Sequence, residues 1–207
     1  RNCGERHCSP GEVAQFLRGK KLAIDLSCWV VQCDTAVIQP SQEVANPLLR
    51  GLFFRAARLA SSRIGAQPLF VADPLQPSTE LSLKNSTRAI RYAAFTGGAP
   101  LSPAELAKIA GAKPLRRNAD FIRKSREALQ MFRLMGFPAI EATGEAEQLC
   151  AQLDSLGIVD ACVTPDGDTF CWGARRGVKT LSLTSDREVE LEVFSATQVE
   201  ARLGLSR

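Results

Sequence analysis

The sequence predicts an α/β fold built on a mostly parallel, twisted sheet with helices on both faces. Short apolar runs alternate with amphipathic stretches of ten or more residues, the pattern of strands joined by helical crossovers. The short runs are apolar along most of their length, as strands covered on both faces must be. The alternation is interrupted at length only between Pro74 and Pro114, where Gly97-Gly98, Pro100, Pro103 and Gly111 punctuate the chain. Crossovers between parallel strands are right-handed, and ligands of such sheets bind at the carboxyl ends of the strands.

The first strand is expected at residues 21–25, Lys-Leu-Ala-Ile-Asp, with apolar residues continuing through Leu26, Trp29 and Val30 into a helix start. Residues 46–66 read as a helix, because Leu48, Leu49, Leu52, Phe53, Ala56, Leu59 and Ala60 keep the three-and-four spacing of one face. Residues 68–73 form a second strand that Pro74 and Pro77 stop. Residues 74–114 are too long for a simple connection and read as a mobile segment between two halves of a domain. A long helix follows at about 117–135, with Phe121, Ser125, Ala128, Leu129, Phe132 and Met135 on one face. A third strand is expected at 138–142, and Gly144 then opens a helix with Ala146, Leu149, Cys150 and Leu153 inward. A fourth strand at 160–164, a fifth at 178–183, a further strand at 188–194 and a last helix near 195–203 complete the pattern.

Composition narrows the function classes. Of 207 residues, 45% are hydrophobic and 23% charged, enough for a sizeable core without staples. No apolar run approaches the roughly 18 residues of a membrane span, so no membrane partner is expected. Residues 1–18 lack the apolar core of a signal peptide, and the absence of an initiator Met predicts a chain that starts inside a longer protein. The net charge of +4 favours a polyanionic partner. His7 is the only histidine, which excludes His-based triads and multi-His metal sites. The seven cysteines are odd in number and spread out, the pattern of free thiols in a reducing compartment. Cys3-x4-Cys8 and Cys28-x4-Cys33 could be drawn as a zinc site, but buried small side chains explain them better.

The acids carry more information. Asp25 and Asp73 end the first two strands, and Asp166 and Asp168 follow the fourth in Thr-Pro-Asp-Gly-Asp-Thr. Glu145 and Glu147 fall in the first turn of the helix after the third strand. All six are therefore expected at one edge of the sheet. Any one of them could be an ordinary helix cap. Six together would repel one another unless hard divalent cations occupy the cleft, and oxygen-only ligation suits Mg²⁺ or Mn²⁺. Two such ions can hold a phosphodiester and activate water without a side-chain nucleophile. Among the bases, Lys84, Arg88 and Arg91 share a helical spacing in a segment with little apolar content, so phosphate contact explains them better than packing. Arg116, Arg117, Arg123, Lys124 and Arg126 could extend that surface, whereas Arg55, Arg58 and Arg63 read equally well as a solvated face.

These residues resemble the flap endonuclease/XPG superfamily of structure-specific nucleases. The resemblance runs from about Lys21 to Phe194 and rests on Leu22-Ala-Ile-Asp-Leu-Ser-Cys-Trp-Val30, Thr143-Gly-Glu-Ala-Glu-Gln-Leu-Cys-Ala151 and Val159-Asp-Ala-Cys-Val-Thr-Pro-Asp-Gly-Asp-Thr-Phe170. Asp25-Leu-Ser-Cys-Trp-Val-Val-Gln32 and Asp166-Gly-Asp-Thr-Phe-x-x-Gly-Ala174 are similar to the GEN-like Holliday-junction resolvases, above all the plant-type ones. The resemblance implies a PIN-like 5′-nuclease core with a helical-arch insertion. It divides the chain into an XPG-N region at about 11–73, an arch at about 74–115 and an XPG-I region at about 116–194. It makes Asp25, Asp73, Glu145, Glu147, Asp166 and Asp168 ligands of two Mg²⁺ ions, or of metal-bound water, with Mn²⁺ as a substitute. Lys84 and Arg91 become arch cations at the scissile phosphate, and Arg88, Arg116, Arg117, Arg123 and Lys124 become DNA contacts. It further implies branched DNA as partner, a nuclear location, and dimerisation on a four-way junction as an open option.

The chain departs from the family pattern in three places. Residues 1–10 do not match the family's opening Met-Gly-Val, and Asp73 is followed by Pro74 where the family usually has Gly. The sequence is also expected to stop before the helix–two-turns–helix region. The leading expectation is a Mg²⁺-dependent endonuclease for 5′-flaps and Holliday junctions. The alternatives are a plain 5′-flap endonuclease and a non-catalytic nucleic-acid-binding module of the same fold. A phosphatase of the haloacid dehalogenase type, suggested by Asp166-Gly-Asp168-Thr169, places its nucleophile near the chain start and fits less well.

Overall fold

The computed structural model describes residues 4–7, 9–35, 45–75, 116–183 and 189–204. Its strands are β1 (Glu5–His7), β2 (Lys21–Asp25), β3 (Gln67–Ala72), β4 (Ala139–Glu141), β5 (Ala161–Val163), β6 (Arg176–Leu183) and β7 (Val189–Ser195). The helices are α1 (Pro10–Leu17), α2 (Leu26–Thr35), α3 (Pro47–Ala60), α4 (Arg116–Leu134), α5 (Ala146–Ser155) and α6 (Ala196–Leu203), with a 3₁₀ turn at Gly167–Phe170. One sheet contains all seven strands in the order β1-β7-β6-β5-β2-β3-β4. The run from β6 to β4 is parallel, whereas β7 runs antiparallel to β6 and β1 antiparallel to β7. The α/β sheet is thus mixed, its parallel part placing the ends of β2, β3 and β5 together.

Strand alternation sorts the side chains into two unequal layers. Leu22, Ile24, Phe70, Ala72, Ala161 and Val163 face the larger core, which α1, α2, α3 and α4 fill with Leu17, Trp29, Leu52, Leu59, Leu129 and Phe132. Phe70 is its centre: Phe132 stacks on it with centroids 3.7 Å apart, and Trp29 meets it edge-on at 5.5 Å. Ala23, Val71 and Cys162 point the other way, where α5 packs through Ala146, Cys150 and Ala151. Asp25 and Asp73 continue the parity of Ala23 and Val71, so the strands aim them toward the α5 side.

The elements start where local chemistry allows. Ser9 and Glu12 form a reciprocal capping box at α1, and Pro10 opens the helix. Asn46 caps α3 by accepting the Leu49 N–H at 3.1 Å, and Pro47 follows. The helix expected over 46–66 ends at Ala60, and Gly65, at a φ of 70°, turns the chain into β3. Phe53, placed on the apolar face by its spacing, is 42% exposed. The third and fourth strands are shorter than expected, and β6 begins two residues earlier, at Arg176. β1 and α1 are absent from the sequence reading; β1 is a polar edge strand, and Arg6 holds it to β7 by pairing with the buried Glu192 at 3.1 Å. Among the described residues no helix is long and apolar enough to cross a membrane.

Candidate metal centre

Asp25 is the last residue of β2 and is 7% exposed. Its Oδ1 accepts the Ser27 backbone N–H at 2.9 Å, the bond that starts α2, and its Oδ2 accepts from the Cys28 thiol at 3.1 Å. Asp73, one residue beyond β3, is half-buried. Its Oδ2 accepts the Ser27 hydroxyl at 2.7 Å, and its Oδ1 accepts the Ala146 N–H at 2.9 Å. That N–H is one of the orphan donors at the start of α5, so the partial positive helix end faces Asp73.

Farther out, Glu147, Asp166 and Asp168 bring one carboxylate oxygen each within 4.8 Å of the others. Glu147 stands in the first turn of α5 and is half-buried, whereas Asp166 and Asp168 are exposed. Asp166 Oδ1 accepts the Asp168 N–H at 3.1 Å, which caps the 3₁₀ turn and holds the two acids side by side. Thr164 ties this outer triad to the inner pair. Its Oγ1 accepts the Asp166 N–H at 3.2 Å and lies 3.8 Å from Cys28 Sγ, the same thiol that donates to Asp25.

Burial and neighbouring carboxylates dominate the electrostatics of the inner acids. Burial raises the Asp25 carboxyl above its usual range, and the Asp73 charge adds to the shift; the Cys28 hydrogen bond opposes it. Burial and the neighbouring Asp25 push the Cys28 thiol far up, so it stays protonated and is no nucleophile. Among the described residues, ion pairs join Arg6 to Glu192, Arg123 to Asp120 and Glu127, Lys124 to Asp34 and Asp120, and Arg175 to Asp154. The donors are all oxygens and grade from the buried Asp25, through the half-buried Asp73 and Glu147, to the exposed Asp166 and Asp168. This arrangement fits a hard divalent cation that keeps some of its water.

Five of the six expected acids thus gather in two linked groups, Asp25 with Asp73 and Glu147 with Asp166 and Asp168. Glu145 differs in detail: it is the N-cap residue of α5 rather than a first-turn residue, and its side chain makes no capping bond. Arg123 and Lys124, read as DNA contacts, are engaged in ion pairs with acids of α4 and α2. Arg116 and Arg117 open α4. Lys84, Arg88 and Arg91 lie outside the described residues, as does the expected arch from residue 76 to 115. Arg55 is no solvated base: it lies 4.1 Å over the Trp29 ring and donates to the Leu181 carbonyl at 2.8 Å. The zinc reading gains nothing, since among the described residues the metal-competent group is the carboxylate triad. Ser27, Cys28 and Thr164 were missed as site residues. Their signal was a polar side chain next to each strand-end acid, in Asp25-Leu-Ser-Cys and Thr164-Pro-Asp.

A mixed α/β sheet whose parallel strands end in an oxygen-lined cluster defines a protein built around hard divalent cations. The XPG N-terminal domain matches residues 9–94 and the XPG I-region residues 136–207. The chain belongs to the flap endonuclease/XPG superfamily. It is 41% identical over 192 residues to Flap endonuclease GEN-like 1 of Arabidopsis thaliana, covering 93% of this chain and 30% of that protein. Its fold is similar to human GEN1 in complex with Holliday junction DNA, with a TM-score of 0.68, 27% identity, and coverage of 97% of this chain and 44% of that one. It is also similar to GEN1 in complex with product DNA and a Mg²⁺ ion, with a TM-score of 0.57, 27% identity, and coverage of 96% and 39%. The chain therefore spans about a third of the length of its curated plant relative.

Proposed function

We propose that this chain forms the core of a Mg²⁺-dependent, structure-specific endonuclease that cuts branched DNA, Holliday junctions and 5′-flaps, in DNA repair and recombination in the nucleus. The observation that carries the proposal is the gathering of Asp25, Asp73, Glu147, Asp166 and Asp168 at one sheet edge. The likeness to GEN1 bound to Holliday junction DNA, and to GEN1 with product DNA and Mg²⁺, supports it.

Asp25 and Asp73 would hold one cation at the buried end, and Glu147, Asp166 and Asp168 a second at the exposed end, with Mn²⁺ able to replace Mg²⁺. Such ions supply Lewis-acid stabilisation of charge on a phosphodiester. The chain's own groups do the rest. The exposed Asp166 and Asp168 leave the outer end open to a phosphate. The buried Asp25 keeps its geometry through the Ser27 and Cys28 hydrogen bonds. Pairing of two copies on a four-way junction belongs to the same proposal.

The test is a cleavage panel of 5′-flap, nicked junction, intact four-way junction and single strand, each with Mg²⁺ and with chelator. Metal-dependent cutting near the branch is expected. Equal cutting of unbranched single strand, or cutting in chelator, overturns the reading. A preference for flaps over junctions moves the chain to the plain flap endonucleases. Sedimentation of the protein with an intact junction checks the two-copy complex.

A further inference from the structure

Ser27 is unusual in touching both inner acids, Asp25 and Asp73, at once. Its backbone N–H donates to Asp25 Oδ1 at 2.9 Å, and its hydroxyl donates to Asp73 Oδ2 at 2.7 Å. A serine hydroxyl has one proton to give, and here it goes to a carboxylate, the stronger kind of hydrogen bond. The two acids come from adjacent parallel strands, with Asp25 opposite Val71 in register and Asp73 two residues beyond. Like charges so close would turn their carboxylates apart. Asp73 has one further anchor, the Ala146 N–H on Oδ1, which is a single bond about which the group can swing. Ser27 removes that freedom, and because its own N–H is fixed on Asp25 as the second residue of α2, it does so from a rigid base.

We propose that Ser27 is a positioning residue: it clamps Asp25 and Asp73 into the one relative orientation in which both present an oxygen to the same divalent cation. The inference rests on the metal-centre reading given above. Partners that orient metal-binding carboxylates act through metal affinity more than through folding.

The experiment measures Mn²⁺ binding, by the loss of the free-ion resonance signal, and melting temperature in chelator, for the parent chain and for Ser27→Ala, Ser27→Thr and Asp25→Asn. Ser27→Ala is expected to weaken Mn²⁺ binding by roughly 10-fold or more, with the melting temperature in chelator unchanged. Ser27→Thr, which keeps the hydroxyl, is expected to restore most of the affinity. Parent-like Mn²⁺ binding by Ser27→Ala, while Asp25→Asn has weakened it, overturns the positioning role and leaves the metal centre standing. A fall in the chelator melting temperature of Ser27→Ala, with no weaker binding at temperatures where it is folded, shows a merely structural hydroxyl and overturns it as well. Undiminished binding by Asp25→Asn removes the metal-centre reading itself.

Discussion

Asp25 is held in a state that only a cation relieves. It is buried beside another carboxylate, and burial and Asp73 raise its carboxyl above the usual range. In the metal-free protein the folded state therefore keeps the Asp25 proton to higher pH than the unfolded chain does. Its contribution to stability is fully present below the unfolded-state value and is lost as pH rises through the raised one. Asp25→Asn is accordingly expected to raise the chelator melting temperature at pH 7, with less gain at pH 4, and to weaken the response to Mg²⁺, which the outer triad still sustains in part. Melting curves at the two pH values, with chelator and with Mg²⁺, check both parts. The outer acids differ: Asp166 and Asp168 are exposed, so substitution there costs little stability. Asp168→Asn and Glu147→Gln are expected to abolish cleavage while leaving junction binding within a few-fold, because affinity comes mainly from Lys and Arg contacts to phosphate. Single-turnover cleavage beside a binding titration separates the two effects.

At the scale of elements, helices with a strong apolar stripe were legible and edges were not. The stripe of Ser125, Ala128, Leu129 and Phe132 marks α4, and those four side chains are buried. The polar β1 has no stripe, and what fixes it is a distant partner, Glu192. The cap reading and the ligand reading of the acids also proved compatible: Asp25 starts α2 and Asp166 caps the 3₁₀ turn with one oxygen each. The sequence could show which acids end strands, but not that Ser27 bridges two of them, since that contact spans 46 positions. Another long-range carboxylate sets the relation of α5 to the sheet. Asp154, fully buried at the far end of α5, accepts the backbone N–H groups of Arg175 and Arg176 where β6 begins. Asp154→Ala is expected to destabilise the protein by roughly 1–3 kcal/mol for each buried donor left unpaired. Denaturant unfolding checks the size, and Asp154→Asn should recover part of the loss by keeping an acceptor.

For the whole molecule, the sheet places four helices on one face and α5 on the other. The α/β class and the gathering of acids at the strand ends followed from alternation and from the rule on strand ends, whereas the strand order is known only from the folded sheet. The antiparallel β7 and β1 did not follow either, because a strand's direction depends on the length and path of its connection. The folded protein assembles the acid cluster from segments as distant as Asp25 and Asp168, so the unfolded chain has no comparable site. Mg²⁺ should therefore stabilise by mass action, by about 2.7 kcal/mol at one hundred times its dissociation constant, which is roughly 5–10 °C for a chain of this size. Thermal unfolding across a Mg²⁺ series checks this, and a flat response would mean that no formed cluster exists.

The α5 layer is lined by Ala23, Ala142, Ala146, Ala151 and Ala174, with Cys150 and Cys162 between them. The first turn of this helix carries Glu147, and its leading N–H reaches Asp73. The packing behind Glu147 therefore rests on buried apolar side chains, many of them small, rather than on charges. A change that chemists count as conservative, Ala23→Val, would wedge the helix outward and carry a metal-binding carboxylate with it. Overpacking of this kind typically costs about 1–3 kcal/mol. The expected signature is a protein that still folds but needs far more Mg²⁺ to cut, with activity recovered at high Mg²⁺, and a titration of cleavage against Mg²⁺ would show it. Variants in this layer would pass for neutral by charge and polarity while behaving as lesions of the catalytic centre.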